Sequence, residues 1–306
     1  MRRSLSVLTL VAALGLLAGC SDDGGTVRSE GGGSGSGSGS TGSGSGSGLS
    51  ASDLGSQSGD KDVTAAVAAY KTYVLGEVAT LRQETKLFTD AVRAGDVAEA
   101  RKQYAPSRVS WERIEPIAGL VEEIDVAVDA RVDDFADESD PKWTGWHKLE
   151  YLLWVKKTAA GGKPLADQLD RDLGTLETQL KTIEITPKAV ALGAGELIEE
   201  VSKGKITGEE DRYSRTDLWD FAANVEGAKA AYGVFKPVLQ AKDAALVKTL
   251  DDRFAAVEAS LQPYAVAGGG YQPYTALKPA DKTRMQAQLG ALSEDLAKLP
   301  AALGVA

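Results

Sequence analysis

The chain is 306 residues long and 43% of its residues are hydrophobic, which is enough for a sizeable packed core. Its 44 acidic side chains outnumber 34 basic ones, so the formal net charge is −10 at pH 7. A surface of that charge repels the phosphates of nucleic acid and attracts cations. We therefore exclude nucleic acid as an expected partner. With a single cysteine the chain cannot form an internal disulfide, so its stability must come from packing.

The first twenty residues have the pattern of an export signal. Arg2 and Arg3 precede an apolar stretch at 5–17, and small residues follow it. The stretch is too short to span a membrane as a helix. Residues 17–20 resemble a bacterial lipobox, which implies that Cys20 carries lipid and anchors the chain to the outer face of the cytoplasmic membrane. An ordinary secretory signal is the alternative, and both the general secretory and the twin-arginine export routes stay open.

Residues 21–62 are predicted to be a disordered tether. Positions 31–48 are almost pure glycine and serine, a composition that buries too little apolar surface to offset its conformational entropy. About 40 flexible residues have a root-mean-square reach of roughly 35 Å. A linker of artificial origin is the alternative. The folded part is expected to cover residues 63–306.

From Val63 onward, apolar residues recur every three or four positions, which predicts helices and no strands. The first helix is expected at 63–94 with Gly95 as its C-cap. Asp96 should cap a second helix, which Pro106 should interrupt. A further helix is expected at 107–121, kinked at Pro116.

The rest of the chain continues the helical pattern. Residues 124–140 are acidic and ambiguous, and another helix should follow Pro141. Five more helices are predicted at 165–183, 187–203, 209–239, 241–261 and 279–299. About 240 residues exceed one simple bundle, so the predicted fold is all-α, with two packed four-helix bundles.

The only histidine of the chain, His147, lies in the sequence GWHKLE at 145–150. On a helix, His147 and Glu150 share one face, which also carries Trp143, Tyr151 and Trp154. Two polar groups thus interrupt an aromatic face that should point inward, and a buried carboxylate needs a partner charge or an ion. The alternative is a core histidine that is hydrogen-bonded to its neighbour.

A second pair of acids, Glu112 and Glu115, has the same spacing of three residues. Helical bundles assemble carboxylate-rich metal centres from paired ligands on facing helices. The alternative is an exposed face on which Arg108 bridges to Glu112. Pro116 should disturb the helix beside Glu115, which makes Glu115 the better candidate ligand.

Several motifs together resemble one known family. They are YAPSR at 104–108, ERIEP at 112–116, DARVDDF at 129–135, GWHKLE at 145–150, GEEDRYS at 208–214 and TDLWDF at 216–221. From about Ala65 to the C-terminus the chain resembles the imelysin-like, EfeO-type iron-uptake lipoproteins, whose signature is Gly-x-His-x-x-Glu. The resemblance implies a metal site in the cleft between two four-helix bundles. The ligand positions that it implies are Glu115, Asp129, His147, Glu150 and Glu210.

Two acids beside Glu210, namely Glu209 and Asp211, are instead expected to be solvated surface residues. An oxygen-rich ligand set with one imidazole favours iron or manganese over copper(I), and zinc is possible. Iron is the expected ion. The resemblance further implies a membrane iron permease and a secreted haem-dependent peroxidase as partners. Longer members of the family have a cupredoxin-like domain where this chain has the tether, so we expect binding and transfer of iron without redox chemistry.

Two other functions remain as alternatives. One is a helical lipoprotein that binds carbohydrate or another polyanion through a bridging divalent ion. The other is a metallopeptidase, a label that the family carries because of its His-x-x-Glu motif. A zinc hydrolase needs about three protein ligands, an open water position and a separate base, and this chain has no second histidine. We therefore expect that the protein is not an enzyme.

Overall fold

The structure, a computed structural model, describes residue 55 and residues 57–305. The predicted export signal at 1–20, the lipid site Cys20 and the predicted tether up to residue 54 lie outside the described residues. None of the helices in the described part of the chain combines the length and apolar character needed to cross a bilayer.

In the first half of the fold, the described residues form five α-helices. They are α1 (Lys61–Ala94), α2 (Val97–Ile114), α3 (Glu122–Asp129), α4 (Gly145–Trp154) and α5 (Gly162–Thr182). Short 3₁₀ segments at Glu115–Val121 and Val132–Asp134 flank α3.

The second half contributes another five α-helices. They are α6 (Pro187–Lys203), α7 (Asp217–Lys242), α8 (Ala244–Leu261), α9 (Pro279–Leu296) and the short α10 (Leu299–Leu303). Three further 3₁₀ segments are Lys205–Thr207, Gln262–Tyr264 and Tyr274–Ala276. Within the described residues the only pairing of extended backbone is one isolated bridge between Ala265 and Tyr271.

The long helices form two four-membered bundles. In the first, α1 packs on α2 and α5, and α4 packs on α2 and α5, with α3 beside α4 and α5. In the second, α6, α7, α8 and α9 pack in a closed ring, each against two of the others. Helix α2 also packs along α7, which joins the bundles. The predicted all-α fold with two packed four-helix bundles is confirmed.

The two caps predicted from the sequence, Gly95 and Asp96, are present, and Asp60 forms a third cap that was not predicted. The Asp60 carboxylate accepts hydrogen bonds from the first-turn amides of α1, and Gly95 ends that helix in the left-handed conformation, with φ of 77°. Asp96 accepts a hydrogen bond from the amide of Glu99 at the start of α2. These side chains satisfy amide groups that have no partner inside the helix.

The predicted interruption at Pro106 is wrong, because α2 runs through this residue to Ile114. The carbonyl that loses its intrahelical donor belongs to Lys102, an exposed residue, where water can replace the missing bond. Tertiary packing of the buried neighbours Tyr104 and Arg108 then keeps the helix continuous. The backbone changes to 3₁₀ geometry at Glu115 and Pro116, where a kink was predicted.

The predicted helix at 209–239 begins late, at Asp217. Residues 208–216 form a loop instead, in which Gly208 and Arg215 both have positive φ, of 86° and 66°. A positive φ does not belong to a right-handed helix. This loop carries Glu210 and Asp211 into the interior.

Candidate metal centre

His147 is brought to the centre of the site by the residue that starts its helix. Gly145 has a φ of 75°, and a Cβ added there would lie 2.0 Å from the carbonyl oxygen of Val128. Only glycine therefore lets the start of α4 lie against the end of α3. The contact places His147, which is 2% exposed, beside Asp129, the last residue of α3.

The Nε2 side of the imidazole faces two buried carboxylates. Asp129 Oδ1 lies 3.4 Å from Nε2, and Glu210 Oε1 lies 3.6 Å from it. The three ligand atoms lie within 4.8 Å of one another. This is a group of one nitrogen and two oxygens from helices α3 and α4 and from the loop before α7.

The Nδ1 side faces a second pair. Glu150 Oε2 lies 3.5 Å from Nδ1, and Asp211 Oδ1 lies 4.0 Å from it. The Tyr104 hydroxyl oxygen also lies 3.4 Å from Nδ1. His147, Glu150 and Asp211 again offer ligand atoms within 4.8 Å of one another.

The two carboxylates on the Nε2 side are held by their outer oxygens. The Trp111 indole donates a hydrogen bond of 2.9 Å to Asp129 Oδ2, and Arg131 donates one of 2.6 Å to Glu210 Oε2. The inner oxygens, Asp129 Oδ1 and Glu210 Oε1, are the atoms that face the imidazole.

The Nδ1 side repeats this arrangement. The backbone amides of Tyr213 and Ser214 donate to Glu150 Oε1 at 2.9 and 2.6 Å, and the Thr216 hydroxyl donates to Asp211 Oδ2. Outer hydrogen bonds of this kind fix the orientation of metal ligands and are a general feature of metal centres.

A fully buried guanidinium, that of Arg108, supplies positive charge at the centre. It donates hydrogen bonds to Asp129 and Glu112, and its Nη2 lies 3.3 Å from Glu210 Oε1. Its Nε lies 3.4 Å from Asp220 Oδ1. The guanidinium therefore shares the inner oxygens of Asp129 and Glu210 with the imidazole.

Glu115 lies in an adjoining cluster around Lys205. The Lys205 ammonium lies 2.8 Å from both oxygens of Glu115 and 2.9 Å from Glu112 Oε2. The Asn224 amide donates to Glu115 Oε2 at 2.6 Å. Lys205 Nζ is also 3.7 Å from Glu210 Oε1, so the ammonium stands between Glu115 and the ligand group on Nε2.

Buried carboxylates outnumber buried cations in this region. Among the described residues the carboxylates are Glu112, Glu115, Asp125, Asp129, Glu150, Glu210, Asp211, Asp217 and Asp220, against the cations Arg108, Arg131 and Lys205. Burying an uncompensated charge is costly, so such a region takes up protons or metal ions.

The directions of the pKa shifts divide the acids into two sets. Burial alone would raise the pKa of Asp129 and Glu210, but Arg108 beside Asp129 and Lys205 beside Glu210, together with the adjacent His147 imidazole, hold both pKa values below their usual range. Burial and Arg108 lower the pKa of His147, yet hydrogen bonds with the surrounding carboxylates raise it well above its usual value. Without metal, these directions favour an imidazolium that faces two ionised carboxylates, Asp129 and Glu210, on its Nε2 side.

The second set of acids lies farther from the ring. Burial, reinforced by the nearby Asp211, raises the pKa of Asp217 to about 7 and that of Asp220 well above its usual value. Burial likewise raises the pKa of Glu115, against the opposing charge of Lys205. Protons therefore compensate part of the excess negative charge when metal is absent.

Of the five predicted ligands, the structure brings four together around one ring: Asp129, His147, Glu150 and Glu210. The fifth, Glu115, contacts Lys205 instead. The predicted ligand set as a whole stays a prediction.

The expectation for Asp211 is wrong, and the alternative given for Glu112 holds only in part. Asp211 is fully buried and not solvated, because the loop at 208–216 turns it inward, whereas Glu209 is exposed as predicted. The bridge from Arg108 to Glu112 exists, but on a buried face and not on an exposed one.

Sequence reasoning missed several members of the site. Tyr104 and Lys205 were not identified as members of the site, and Arg108 entered only the alternative in which it bridges to Glu112 on an exposed face. The spacing of four residues between Tyr104, Arg108 and Glu112 was an available signal, because it places all three on one face of α2. Nothing comparable pointed to Lys205, which lies in a short 3₁₀ segment.

The two-bundle helical fold and the buried imidazole among carboxylates define the class of protein. The Imelysin family model, Peptidase_M75, matches residues 66–299, and the chain belongs to this family. The resemblance inferred from the motifs is thereby confirmed.

Among known proteins, the chain is similar to proteins named iron uptake system component EfeO. It is 48% identical to that of Yersinia pseudotuberculosis serotype I (strain IP32953) over 240 residues. It is 44% identical to that of Escherichia coli O157:H7 over 241 residues. Each alignment covers 78% of this chain and 64% of the relative, so the chain spans less than two thirds of the length of these relatives.

Proposed function

We propose that this protein binds iron as the cargo of an uptake system and holds the ion at His147. One observation carries the proposal: four buried carboxylates surround a single imidazole, each anchored by its outer oxygen and each with its inner oxygen toward the ring. Carboxylates fixed in this way are prepared to coordinate a cation with little rearrangement. The printed names of the relatives, iron uptake system component, support the same role.

In this proposal Asp129, His147 and Glu210 are the ligands on the Nε2 side, and Glu150 is the ligand on the Nδ1 side. Glu115 joins the Nε2 set once the Lys205 ammonium moves aside. Carboxylate oxygens with one imidazole suit iron or manganese, and zinc is the borderline competitor. Arg108 and the proton on His147 stand in for the cation in the metal-free protein. Iron binding therefore displaces a proton and draws carboxylate oxygens away from the guanidinium.

We place the protein outside the cell, attached to the membrane through lipid on Cys20, where it would pass iron to a membrane permease. A secreted haem-dependent peroxidase would be a further component of the same system. These parts of the proposal rest on the lipobox-like residues 17–20 and on the family resemblance.

We propose binding and transfer without catalysis. Hydrolysis at a metal needs a base that is not itself a ligand. Around His147, the inner oxygens of Glu150, Asp129 and Glu210 all face the ring as candidate ligands. An assay of the iron- and zinc-loaded protein with a mixture of peptides should therefore detect no cleavage above a metal-free blank.

The test of iron binding uses two adjacent glutamates as a matched pair. Glu210 is buried in the site, whereas Glu209 next to it is exposed. Iron titration by calorimetry should show that Glu210→Gln and His147→Gln weaken binding at least about tenfold, the scale of even indirect ligand contacts. Glu209→Gln should bind like the unmodified chain. The proposal would be refuted if the chain binds none of iron, manganese and zinc, or if Glu210→Gln and Glu209→Gln bind iron with equal affinity.

A further inference from the structure

The Nδ1 side of His147 offers a donor that the predicted ligand set does not contain. The Tyr104 hydroxyl lies 3.4 Å from Nδ1 and donates a hydrogen bond of 2.8 Å to Asp211 Oδ1. Tyr104 and Asp211 are both fully buried. Phenol, imidazole and carboxylate groups thus converge at one point, with Glu150 Oε2 at 3.5 Å from the same ring nitrogen.

Tyr104 is held in this position by its surroundings. Its ring makes edge contacts with Phe88 and Trp154, at centroid separations of 5.7 and 5.4 Å. The neighbouring Asp211 is held by the Thr216 hydroxyl, and its own amide donates to Asp217 at 3.2 Å. Neither group has to be recruited from solvent to meet an ion.

An independent feature marks this side of the ring as short of positive charge. Asp220 is fully buried beside Asp211, and neither of its carboxylate oxygens has a hydrogen-bond partner among the described residues. Its nearest cation is Arg108, whose Nε lies 3.4 Å from Asp220 Oδ1 and 3.7 Å from Asp211 Oδ1. That Nε likewise has no hydrogen-bond partner in the described part of the chain.

We propose that the Nδ1 side of His147 is a ferric-iron position in which Tyr104 joins Nδ1, Glu150 and Asp211 as a ligand. Phenolate and carboxylate are hard anionic donors, which match the higher charge of ferric iron. Among the described residues, the groups that face Nε2 are the carboxylates of Asp129 and Glu210, with no phenol beside them. The two sides of one imidazole therefore differ in the oxidation state of iron that they favour, an inference that rests on the proposed iron-binding function.

Coordination by Tyr104 requires a simple exchange. The phenol O–H bond of Tyr104 and the N–H bond at Nδ1 of His147 break, and both protons go to the buffer. An iron–oxygen and an iron–nitrogen bond form without any change in the oxidation state of the iron. The hydrogen bond from Tyr104 to Asp211 is lost, and the freed Asp211 Oδ1 becomes available to the same ion.

The test is a titration of the full chain with ferric citrate, followed by visible absorption. A phenolate bound to ferric iron has a charge-transfer band in the visible range, whereas carboxylate and imidazole complexes have no such band. The unmodified chain should develop the band to saturation, and Tyr104→Phe should abolish it and weaken ferric binding about tenfold or more. Ferrous and manganese affinities should change much less. Tyr70→Phe, at another fully buried tyrosine, on α1, is the matched control and should keep the band.

Asp211→Asn provides a second variant in case the tyrosine change perturbs folding, and it should shift or weaken the band. A ferric complex without a visible band, or a band that survives in Tyr104→Phe, would overturn the inference while leaving iron binding intact. Complete absence of iron binding would instead refute the proposed function. The two failures are therefore distinguishable.

Discussion

Arg108 shows how much a single residue contributes to this site. Its fully buried guanidinium contacts carboxylates from three different parts of the chain, namely Glu112, Asp129 and Glu210. It also lies 5.6 Å over the ring of Trp146, a favourable position for a cation. In the metal-free protein it compensates charges that iron would compensate after binding.

Replacing Arg108 should therefore lower the free energy of unfolding more in the metal-free protein than in the iron-bound protein. Arg108→Gln should destabilise the metal-free protein by about 3–5 kcal/mol, the usual effect of breaking a buried ion pair. Urea denaturation measures this loss, and added iron should restore more stability in the variant than in the unmodified chain.

Arg113, on the same helix, is the control because its side chain is 31% exposed and pairs with Glu226 and Glu77. Arg113→Gln should lower the free energy of unfolding by less than about 1 kcal/mol. Equal losses in the two variants would contradict the role assigned to Arg108.

At the scale of elements, the junction of α3 and α4 determines the geometry of the site. The end of α3 supplies Asp129, and the first turn of α4 supplies His147. Both positions depend on the close approach of Gly145 to the Val128 carbonyl.

An added methyl group at this junction should disturb both stability and binding. In Gly145→Ala the new Cβ would lie 2.0 Å from Val128 O, so α4 must move away from α3. We expect the free energy of unfolding to fall by about 1–3 kcal/mol, which is typical of overpacking. We also expect the affinity for iron to fall at least about tenfold. Thermal unfolding and iron titration measure the two effects.

Gly76→Ala is the matched control for this substitution. Gly76 lies within α1, and a Cβ there would meet nothing within 4 Å. This change should stabilise the protein by about 0.5–1 kcal/mol, because alanine favours a helix over glycine, and should leave iron binding unchanged. Normal iron binding by Gly145→Ala would show that the junction is not needed for the site.

For the whole molecule, the site connects the two bundles. Asp129 and His147 belong to the first half, whereas Glu210 and Asp211 lie on the loop that leads into α7 of the second. The approach of the bundles is close here, since a Cβ added to Gly227 on α7 would lie 2.3 Å from the Arg113 carbonyl on α2.

A ligand that bridges two bundles should stabilise the complete fold. At a free iron concentration 100 times the dissociation constant, the free energy of unfolding should rise by about 2.7 kcal/mol. For a fold of this size that corresponds to a rise in Tm of roughly 5–10 °C.

Calorimetry with and without a chelator checks this prediction. The shift should disappear in Glu210→Gln and persist in Glu209→Gln. A Tm that does not respond to iron, or that rises equally in both variants, would contradict a bridging site.

The sequence by itself determined the helical class and the pairing of His147 with Glu150, because apolar spacing and helical periodicity are local properties. It also determined the two-bundle architecture, because about 240 folded residues exceed one simple bundle. It also identified Gly95 as the C-cap of α1 and Asp96 as the N-cap of α2, since capping depends on residues within one turn. Only the tertiary structure decided that Asp211 points inward while Glu209 points outward, and that Lys205 holds Glu115. These outcomes depend on the path of an irregular loop and on contacts between residues some 90 positions apart, such as Glu115 and Lys205, which no local periodicity encodes.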